Sequence, residues 1–258
     1  MSGIVREVTI GDCRLILGDC REVLPGLPRC DLILTDPPYG LNEAAGKNRS
    51  RGSVQGANKW NGSRNTTGVG VASTDFGEPR EWDSEPPPAW VIELMRDKSR
   101  WQVLFGGNYY SLPPATCWLV WDKDNGETDF ADCELAWTNL TKAVRRLRWR
   151  WNGMLQQDMA NKEVRKHPTQ KPVAVMRWAL LQAPDAQTVC DPFAGSGTTG
   201  VACALEGRKF IGIEREPQYF DIACQRIYNA QRQSKLFDEN EDVQKVQPEQ
   251  ANFGFPEK

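Results

Sequence analysis

Short, continuously apolar runs alternate along this chain with stretches of helical periodicity, and that alternation restricts the fold more than any other feature. The apolar runs are typical of strands covered on both faces: CRLILGD, DLILTD, WQVLFGG, TCWLVWD, ELAWTN, TVCDPF and FIGIE. Helical patterns lie between several of them: PVAVMRWALLQA, TTGVACALEG and PQYFDIACQRIYNAQRQ. Strands interleaved with helices predict an α/β fold with a Rossmann-like, doubly wound, mostly parallel sheet.

The chain has 258 residues, which is enough for one sizeable core. We predict a single domain over residues 1–235, followed by a polar tail at 236–258. A segment at about 41–80 interrupts the domain and is rich in Gly, Asn, Ser and Thr. It is too long and polar for a routine connection, so it is either a functional loop or a disordered insertion.

Composition excludes several classes of protein. No apolar run approaches the ~20 residues of a membrane span, and MSGIVREVTIGDCR lacks the layout of a signal peptide. We therefore expect no membrane partner and a cytoplasmic protein, in a bacterium or a phage-infected cell. The eight cysteines are widely spaced and the only histidine is His167. Reduced, structural thiols are expected, and no metal site.

The net charge of −2 hides local basic segments. Phosphates meet such a patch rather than the global sum, so we expect DNA contacts from the 41–80 insertion, the basic 142–166 stretch, or both. Two tryptophans, Trp149 and Trp151, are interleaved with that stretch and would clamp a strand by stacking; a solvated basic strand face is the alternative. The predicted nucleic-acid contacts are Lys47, Arg49, Arg51, Lys59, Arg64, Arg145, Arg146, Arg148 and Arg150.

A glycine-rich turn follows the TVCDPF strand. Gly195, Gly197 and Gly200 satisfy the GxGxxG pattern, and a helix opens at about Thr198. Bare backbone beside the positive end of a helix lets a ligand approach closely. Glu214 ends the next strand, where an acid accepts hydrogen bonds from the ribose of a nucleoside. The pattern therefore predicts a nucleoside cofactor, NAD or S-adenosylmethionine; a turn that binds nothing is the structural alternative.

Asp191, just before these glycines, separates the two cofactors. S-adenosylmethionine presents an amino acid group at this position, whose ammonium an aspartate attracts. NAD presents a pyrophosphate, which the same aspartate would repel. Asp191 thus favours S-adenosylmethionine.

The DLILTD strand ends in Asp36-Pro37-Pro38-Tyr39. Two consecutive prolines fix the backbone and remove two N–H donors, so that carbonyl groups are available to a ligand. A carboxylate beside such a carbonyl forms a pair of acceptors suited to an NH2 group, and Tyr39 offers a ring for stacking a planar base. A rigid turn after a strand is the alternative.

Paired acceptors of this kind suit methylation of a base amine. The lone pair of an exocyclic amine is delocalised into the ring, which makes the amine a poor nucleophile. Hydrogen bonds from both of its protons draw the nitrogen toward tetrahedral geometry and stabilise the positive charge that grows on it during attack on a sulfonium methyl.

Four segments in this order, TDPPYG, HPTQKP, DPFAGSGTTG and IGIE, resemble the amino-methylating (N6-adenine/N4-cytosine) DNA methyltransferase family. The resemblance runs from about Gly11 to Gln231. Because the DPPY element precedes the glycine-rich turn, the chain looks like the circularly permuted beta class of bacterial and phage enzymes. The resemblance implies a class I S-adenosylmethionine-dependent methyltransferase fold, with S-adenosylmethionine as cofactor.

The resemblance also implies site residues. The catalytic ones would be Asp36, Pro37, Pro38 and Tyr39. His167-Pro-Thr-Gln-Lys-Pro would close over the methionine part of the cofactor, and Asp19 would contact its adenine, although Asp19 also suits a plain helix N-cap. The predicted cofactor-binding residues are Asp19, His167, Thr169, Gln170, Lys171, Asp191, Phe193, Ala194, Gly195, Ser196, Gly197, Thr198, Thr199 and Glu214.

Adenine N6 is the favoured target because N4-cytosine members of this order more often carry Ser where Asp36 stands. The resemblance implies double-stranded DNA as partner and base flipping, since the motif cannot reach a stacked amine. It is compatible with a homodimer and a cognate restriction endonuclease. The alternatives are an N4-cytosine enzyme, an RNA or protein methyltransferase, an NAD-dependent oxidoreductase and a non-catalytic DNA-binding remnant.

Overall fold

A computed structural model describes residues 3–41, 85–126, 131–152, 155–167 and 169–244. Almost all of the 41–80 insertion therefore lies outside the described residues, and so do the DNA contacts predicted within it: Lys47, Arg49, Arg51, Lys59 and Arg64.

Eleven strands and five α-helices form the described part of the chain. The strands are β1 (Ile4–Ile10), β2 (Cys13–Gly18), β3 (Cys30–Thr35), β4 (Ser99–Phe105), β5 (Trp118–Asp122), β6 (Cys133–Thr138), β7 (Arg145–Arg148), β8 (Trp151–Asn152), β9 (Leu155–Gln156), β10 (Thr188–Asp191) and β11 (Lys209–Glu214). The helices are α1 (Cys20–Val23), α2 (Ala89–Asp97), α3 (Val173–Leu180), α4 (Thr198–Leu205) and α5 (Pro217–Gln244).

Nine of these strands form one sheet in the order β1-β2-β11-β10-β3-β4-β6-β5-β7. The neighbours from β2 through β4 are all parallel, and β5 pairs β7 in parallel; β1 and β6 run antiparallel to their neighbours. This arrangement confirms the predicted mostly parallel, Rossmann-like sheet. All seven strands and three helices expected from the sequence are present.

Several elements were not expected. The edge strands β1 and β7 carry exposed polar residues in place of apolar runs, so they lack the pattern of a buried strand. The helix α5 continues to Gln244, past the point where the polar tail was predicted to begin. None of the described helices is long and apolar enough to cross a membrane. Nor do the described residues include a His, Cys, Asp or Glu cluster that would hold a metal ion.

The sheet is covered on both faces. Alternate residues of a strand point to opposite faces, so Leu32 and Leu34 belong to the apolar cluster that includes α3, α4 and α5. Ile33 belongs to the cluster that includes α1 and α2. Each fully buried aliphatic side chain of this kind contributes about 2 kcal/mol to stability. Burial on both faces is the reason that the central strands read as continuous apolar runs.

The centre of the sheet joins distant parts of the chain. The Asp31 carboxylate at the start of β3 accepts hydrogen bonds from the backbone N–H groups of Gln187 (2.9 Å) and Thr188 (2.8 Å), and from the Thr188 hydroxyl (2.8 Å). These bonds fix β3 beside β10. The carboxyl ends of β2, β11, β10, β3 and β4 consequently meet at one edge of the sheet, where ligands bind in open α/β folds.

Candidate active site

A cleft of about 300 Å³ opens at this edge. It brings together thirteen of the fourteen residues predicted to bind the cofactor, with Gly197 as the exception, and it reaches Asp36 and Pro38 of the DPPY motif. The lining residues that the sequence predicted for the cofactor are Asp19, His167, Thr169, Gln170, Lys171, Asp191, Phe193, Ala194, Gly195, Ser196, Thr198, Thr199 and Glu214.

The DPPY segment lies directly after β3. The Tyr39 hydroxyl donates to Asp36 Oδ1 at 2.5 Å, so the motif folds back on itself. The Tyr110 hydroxyl donates to the carbonyl oxygens of Pro37 (3.0 Å) and Pro38 (3.1 Å). The sequence predicted that no local N–H donor would occupy these carbonyl oxygens. That prediction holds for the local backbone, but Tyr110, which lies in the turn after β4, donates to them. A carbonyl oxygen has two lone pairs, and so each retains one for a ligand.

The Tyr39 ring stacks on Tyr109, with ring centroids 5.0 Å apart and planes inclined by 20°. Gly106 makes room for Tyr39 from the end of β4. Its φ of +68° disfavours other residues, and a Cβ there would stand 2.1 Å from the Tyr39 ring. Tyr109 is 46% exposed, so this aromatic pair leads from the DPPY motif to the protein surface.

A chain of alternating charges surrounds Asp36. Lys171 Nζ lies 2.6 Å from Asp36 Oδ2 and 2.8 Å from Glu134 Oε2, and it donates to the Tyr39 hydroxyl at 3.2 Å. Lys123 Nζ lies 2.5 Å from the other oxygen of Glu134. The sequence placed Lys171 among the cofactor contacts; the structure directs its ammonium to the DPPY motif. Glu134 and Lys123 were not among the predicted site residues.

Burial and charge act against each other in this cluster. Burial raises the pKa of Asp36, and the nearby Glu134 raises it further, while Lys171 opposes both. Burial would also raise the pKa of Glu134, but Lys171 and Lys123 together lower that pKa to about 2. The two carboxylates hold the pKa of Lys171 above its usual value despite burial. Both Glu134 and Lys171 are therefore charged at neutral pH.

Asp191 also lines the cleft, at the end of β10. Its carboxylate accepts hydrogen bonds from the hydroxyls of Thr35 and Thr199, both at 2.6 Å, and from the Phe193 N–H at 3.0 Å. It thus ties β3 and α4 to the glycine-rich turn. Burial raises the pKa of Asp191 to about 6, against the lowering effect of these hydrogen bonds.

Glu214, the last residue of β11, lines the same cleft. Its carboxylate accepts from the backbone N–H groups of Gly195 (2.7 Å) and Glu216 (2.8 Å). These bonds orient the acid beneath the glycine-rich turn, as a ribose contact requires. Burial raises the pKa of Glu214 to about 6, against the lowering effect of these hydrogen bonds.

Two of the three glycines of the turn serve helix packing. Gly197 has φ of +78°, and a Cβ there would stand 2.7 Å from Ala223 of α5. A Cβ on Gly200 would stand 2.4 Å from Ile227 of the same helix. Gly195 alone faces the cleft, where the nearest atoms to a Cβ belong to His167 at 4.0 Å. This division explains why Gly197 is absent from the cleft lining.

Arg226 of α5 also holds the glycine-rich turn, and the sequence gave no indication of it. Its guanidinium donates to the Ser196 carbonyl (2.7 Å), the Ser196 hydroxyl (2.8 Å) and the Thr198 hydroxyl (3.1 Å). Burial lowers the pKa of Arg226, although the guanidinium remains charged. A single Arg in an amphipathic helix has no pattern that distinguishes it from a surface residue.

Four residues of the HPTQKP segment line the cleft: His167, Thr169, Gln170 and Lys171. The His167 ring packs edge-on against Tyr219, with centroids 4.2 Å apart. Burial, with repulsion from Lys171 and Arg226, lowers the pKa of His167 to about 3, so its imidazole is neutral. Gln170 Oε1 accepts from the Lys166 N–H at 2.8 Å and from the Ser196 hydroxyl at 3.3 Å.

Gln170 Nε2 is buried and has no hydrogen-bond partner within the described part of the chain. A buried donor without a partner costs about 1–3 kcal/mol. Because Gln170 lines the cleft, this donor indicates a ligand with an acceptor group at that position.

Asp19 lies where β2 leads into α1. Its carboxylate accepts from the Arg21 N–H at 2.9 Å, which is an N-cap, and it also binds the Arg21 guanidinium. The N-cap interpretation is therefore confirmed. Asp19 lines the cleft as well, and its contact with a cofactor adenine stays a prediction.

The predicted basic surface follows β7 at the far edge of the sheet. The side chains of Arg146, Arg148 and Arg150 are 65%, 60% and 46% exposed. Asp122 and Asp124, next to them, form ion pairs with these arginines and reduce the net positive charge of the edge.

The two tryptophans of this stretch belong to the core. Trp151 is only 6% exposed, and Trp149 is partly buried against the same apolar cluster. The Arg165 guanidinium lies over the Trp151 ring at 5.1 Å. A clamp in which Trp151 stacks on a nucleic-acid strand is therefore wrong, because its ring is already covered.

Comparison with known proteins finds DNA methyltransferases. A family model described as DNA methylase matches residues 107–225. The chain is 45% identical over 78 residues to the type II methyltransferase M2.LlaDCHI of Lactococcus lactis subsp. cremoris, which covers 30% of this chain and 29% of that relative. It is 27% identical over 254 residues to the type II methyltransferase M.HinfI of Haemophilus influenzae, covering 83% of this chain and 67% of the relative.

Among solved structures, the PvuII DNA methyltransferase (cytosine-N4-specific) aligns over 90% of this chain and 96% of its own, with a TM-score of 0.50 and 13% identity. That likeness concerns the fold. The sheet and its cleft define a class I S-adenosylmethionine-dependent methyltransferase fold. These matches support the amino-methylating DNA methyltransferase family that the sequence predicts, and S-adenosylmethionine is the cofactor of that family. Membership of the permuted class stays a prediction.

Proposed function

We propose that the protein transfers a methyl group from S-adenosylmethionine to adenine N6 in double-stranded DNA. One observation carries the proposal: Asp36 and Pro38 of the DPPY motif line the same cleft as the residues that have the features of a nucleoside pocket. A base amine held by the Asp36 carboxylate and the Pro37 carbonyl would face a methyl donor held in that pocket.

Asp36 retains the capacity to bind an amine. An ionised carboxylate offers about four acceptor positions, and Asp36 receives hydrogen bonds from Tyr39 and Lys171. One proton of the amine would bind Asp36 and the other the Pro37 carbonyl. These bonds orient the nitrogen lone pair and stabilise the positive charge that develops on it, and they need no covalent intermediate with the protein.

The cofactor end fits S-adenosylmethionine. Glu214 would accept hydrogen bonds from the ribose hydroxyls, and the unpartnered Gln170 Nε2 would donate to the carboxylate of the methionine part. Asp191 would face the ammonium, and Phe193 and Asp19 the adenine. The bound cofactor supplies an electrophilic methyl on sulfur; the chain's residues orient it and exclude water.

The choice of adenine rests on Asp36, where N4-cytosine enzymes of this motif order more often carry Ser. Cytosine N4 is the second candidate, because it is also an exocyclic NH2 group that two acceptors would hold. The name of the structural relative specifies cytosine N4.

Access to the base implies extrusion from the duplex. We propose that the exposed arginines of β7, with the basic residues of the 41–80 insertion, bind the phosphates during this step. The type II names of the relatives favour a restriction endonuclease of matching specificity as a partner and a bacterial cytoplasm as location. A homodimer remains compatible with the proposal.

The test is a methylation assay with labelled S-adenosylmethionine and unmethylated DNA, followed by mass spectrometry of the nucleosides. Asp36→Ala removes the acceptor, and Asp221→Ala serves as its control because Asp221 is a surface residue paired with Arg6. We expect N6-methyladenine from the wild type and the control only. N4-methylcytosine would overturn the choice of base. If the protein binds the cofactor but the DNA carries no label, DNA is not the substrate.

A further inference from the structure

We propose that Glu134 is a positioning residue for methyl transfer, acting on the catalytic carboxylate Asp36 through Lys171. The inference rests on the proposed function and adds to it a residue that the DPPY motif does not contain. Glu134 has no contact with the base in this scheme; it fixes the group that contacts Asp36.

The geometry of Lys171 supports this role. Its side chain is 7% exposed, and its Nζ lies within 3.2 Å of Asp36, Glu134 and Tyr39. Two of the N–H donors of this ammonium bind Asp36 and Tyr39, and Glu134 lies beside it as an ion-pair partner. With Glu134 on one side and Asp36 on the other, the ammonium has one stable place, and the orientation of the Asp36 carboxylate is fixed with it.

The charges explain why an acid is needed behind the lysine. A positive charge grows on the base nitrogen as the methyl is transferred, and an ammonium so close would by itself oppose it. Asp36 and Lys171 alone sum to zero. Glu134 lies on the far side of Lys171 and offsets part of its charge, and Lys123 in turn pairs with Glu134. The chain of four charges is neutral as a whole, with the negative charge of Asp36 nearest the base, which favours the developing cation.

Contacts from strands β5 and β6 hold Glu134 in place. It belongs to β6, and its second oxygen binds Lys123, which follows β5 directly. The Lys123 N–H donates to the Asp132 carbonyl at 2.8 Å, so the two strands remain in register at this point. Lys123 also lies over the Trp121 ring at 5.1 Å. The β5–β6 pair thus carries Glu134 toward a site built by β3 and the HPTQKP segment.

The first experiment compares Glu134→Gln with the wild type in the full-length protein, using unmethylated DNA and S-adenosylmethionine. We expect kcat to fall about 10–100-fold, the range expected when catalytic groups are misplaced, with KM for the cofactor within about twofold of the wild-type value. Glu134 raises the pKa of Asp36, so the acid limb of the kcat profile should move to lower pH in the variant.

The pH profile separates positioning from a general loss of structure. The titratable groups around Asp36 are Lys171, Glu134, Tyr39 and Asp191, and only Glu134 is changed. The matched control is Glu7→Gln. Glu7 lies on the edge strand β1 and binds Arg14, so this variant should leave kcat and its pH profile unchanged. An active wild type with unchanged kcat and acid limb in Glu134→Gln would overturn the inference and leave the proposed function standing.

A second variant covers the case in which Glu134→Gln does not fold. Lys123→Gln removes the outer partner of Glu134 and leaves the inner ion pairs in place. We expect a fall in kcat in the same direction, by about threefold, with cofactor binding retained. A Lys123→Gln protein that folds and has wild-type kcat would then count against the inference. Absence of methylation by the wild type would overturn the proposed function itself.

Discussion

The two ends of the cleft hold buried carboxylates by different means. At the cofactor end, the hydrogen bonds that Asp191 and Glu214 accept within the described residues come from hydroxyl and backbone N–H groups, and the pKa of each is raised to about 6. At the base end, lysines accompany the carboxylates and lower the pKa of Glu134 to about 2.

The difference follows the charge of what each end is proposed to bind. Buried carboxylates without a cation are costly, and a ligand carrying an ammonium and a sulfonium offsets that cost. A DNA base is neutral, so its end has to balance its own charge before the base arrives. The cofactor end is therefore expected to depend on its ligand, whereas the base end is complete by itself.

The most severe test of this separation is Asp36→Asn. The variant keeps the shape but loses the charge, and we expect kcat to fall about 10²–10³-fold. Cofactor affinity should remain within about twofold, because Asp36 belongs to the other end. Single-turnover kinetics and calorimetric titration with S-adenosylmethionine measure the two quantities. Comparable losses in both would show that the ends are not independent.

Glu214→Gln tests the cofactor end in the same way. Hydrogen bonds to a charged acceptor are worth about 1.5–3 kcal/mol, so the dissociation constant for S-adenosylmethionine should rise about 10–100-fold. At saturating cofactor, kcat should change little. Glu7→Gln again serves as a control for loss of an acid elsewhere. A large loss of kcat with unchanged affinity would assign Glu214 to the base end.

Cofactor binding should also depend on pH. The pKa of Asp191 and Glu214 is raised to about 6, so both carboxylates take up protons as the pH falls through 6. The ligand requires both ionised forms, so its affinity should decrease by about 100-fold between pH 7 and pH 5, about tenfold for each carboxylate, and change little above pH 7. His167, whose pKa is lowered to about 3, contributes nothing in this range. Titrations at a series of pH values would contradict the comparison if affinity rose on acidification.

Arg148→Gln addresses the outer surface and should have the smallest effect. One phosphate contact fewer is expected to weaken DNA binding by a few-fold and to reduce the slope of log K against log salt by about 1. Cofactor affinity should not change. Fluorescence anisotropy with a DNA duplex at several salt concentrations gives the slope, and Arg6→Gln, a change far from β7 on the sheet, is the control. An unchanged slope would remove Arg148 from the DNA surface.

The cofactor end was largely predictable from the sequence. The predicted strands end at Asp36, Asp191 and Glu214, and parallel strands bring their carboxyl ends to one edge. Local patterns therefore located nearly the whole cleft. The failures at this end, Gly197 and Arg226, depend on how closely α5 approaches the glycine-rich turn, and a single sequence does not specify that distance.

The base end was much less predictable. The contact between Lys171 and Asp36 joins residues 135 positions apart. Glu134 reaches them only because β6 inserts antiparallel between β4 and β5, an order that no periodicity encodes. The prediction for Trp151 failed for the same reason. Its basic neighbours in the sequence indicated a surface residue, but the tertiary structure packs its ring into the core.

The order of the central strands also determines when, during synthesis, the sheet that carries the site can be completed. Strands β11 and β10 lie between β2 and β3, although they are the last strands along the chain. During synthesis, the edges of β2 and β3 that pair with β11 and β10 therefore remain unpaired until the residues after 188 have left the ribosome. Such long-range pairing is slow, and open strand edges promote aggregation. Incomplete translation products should consequently be inactive and dependent on chaperones.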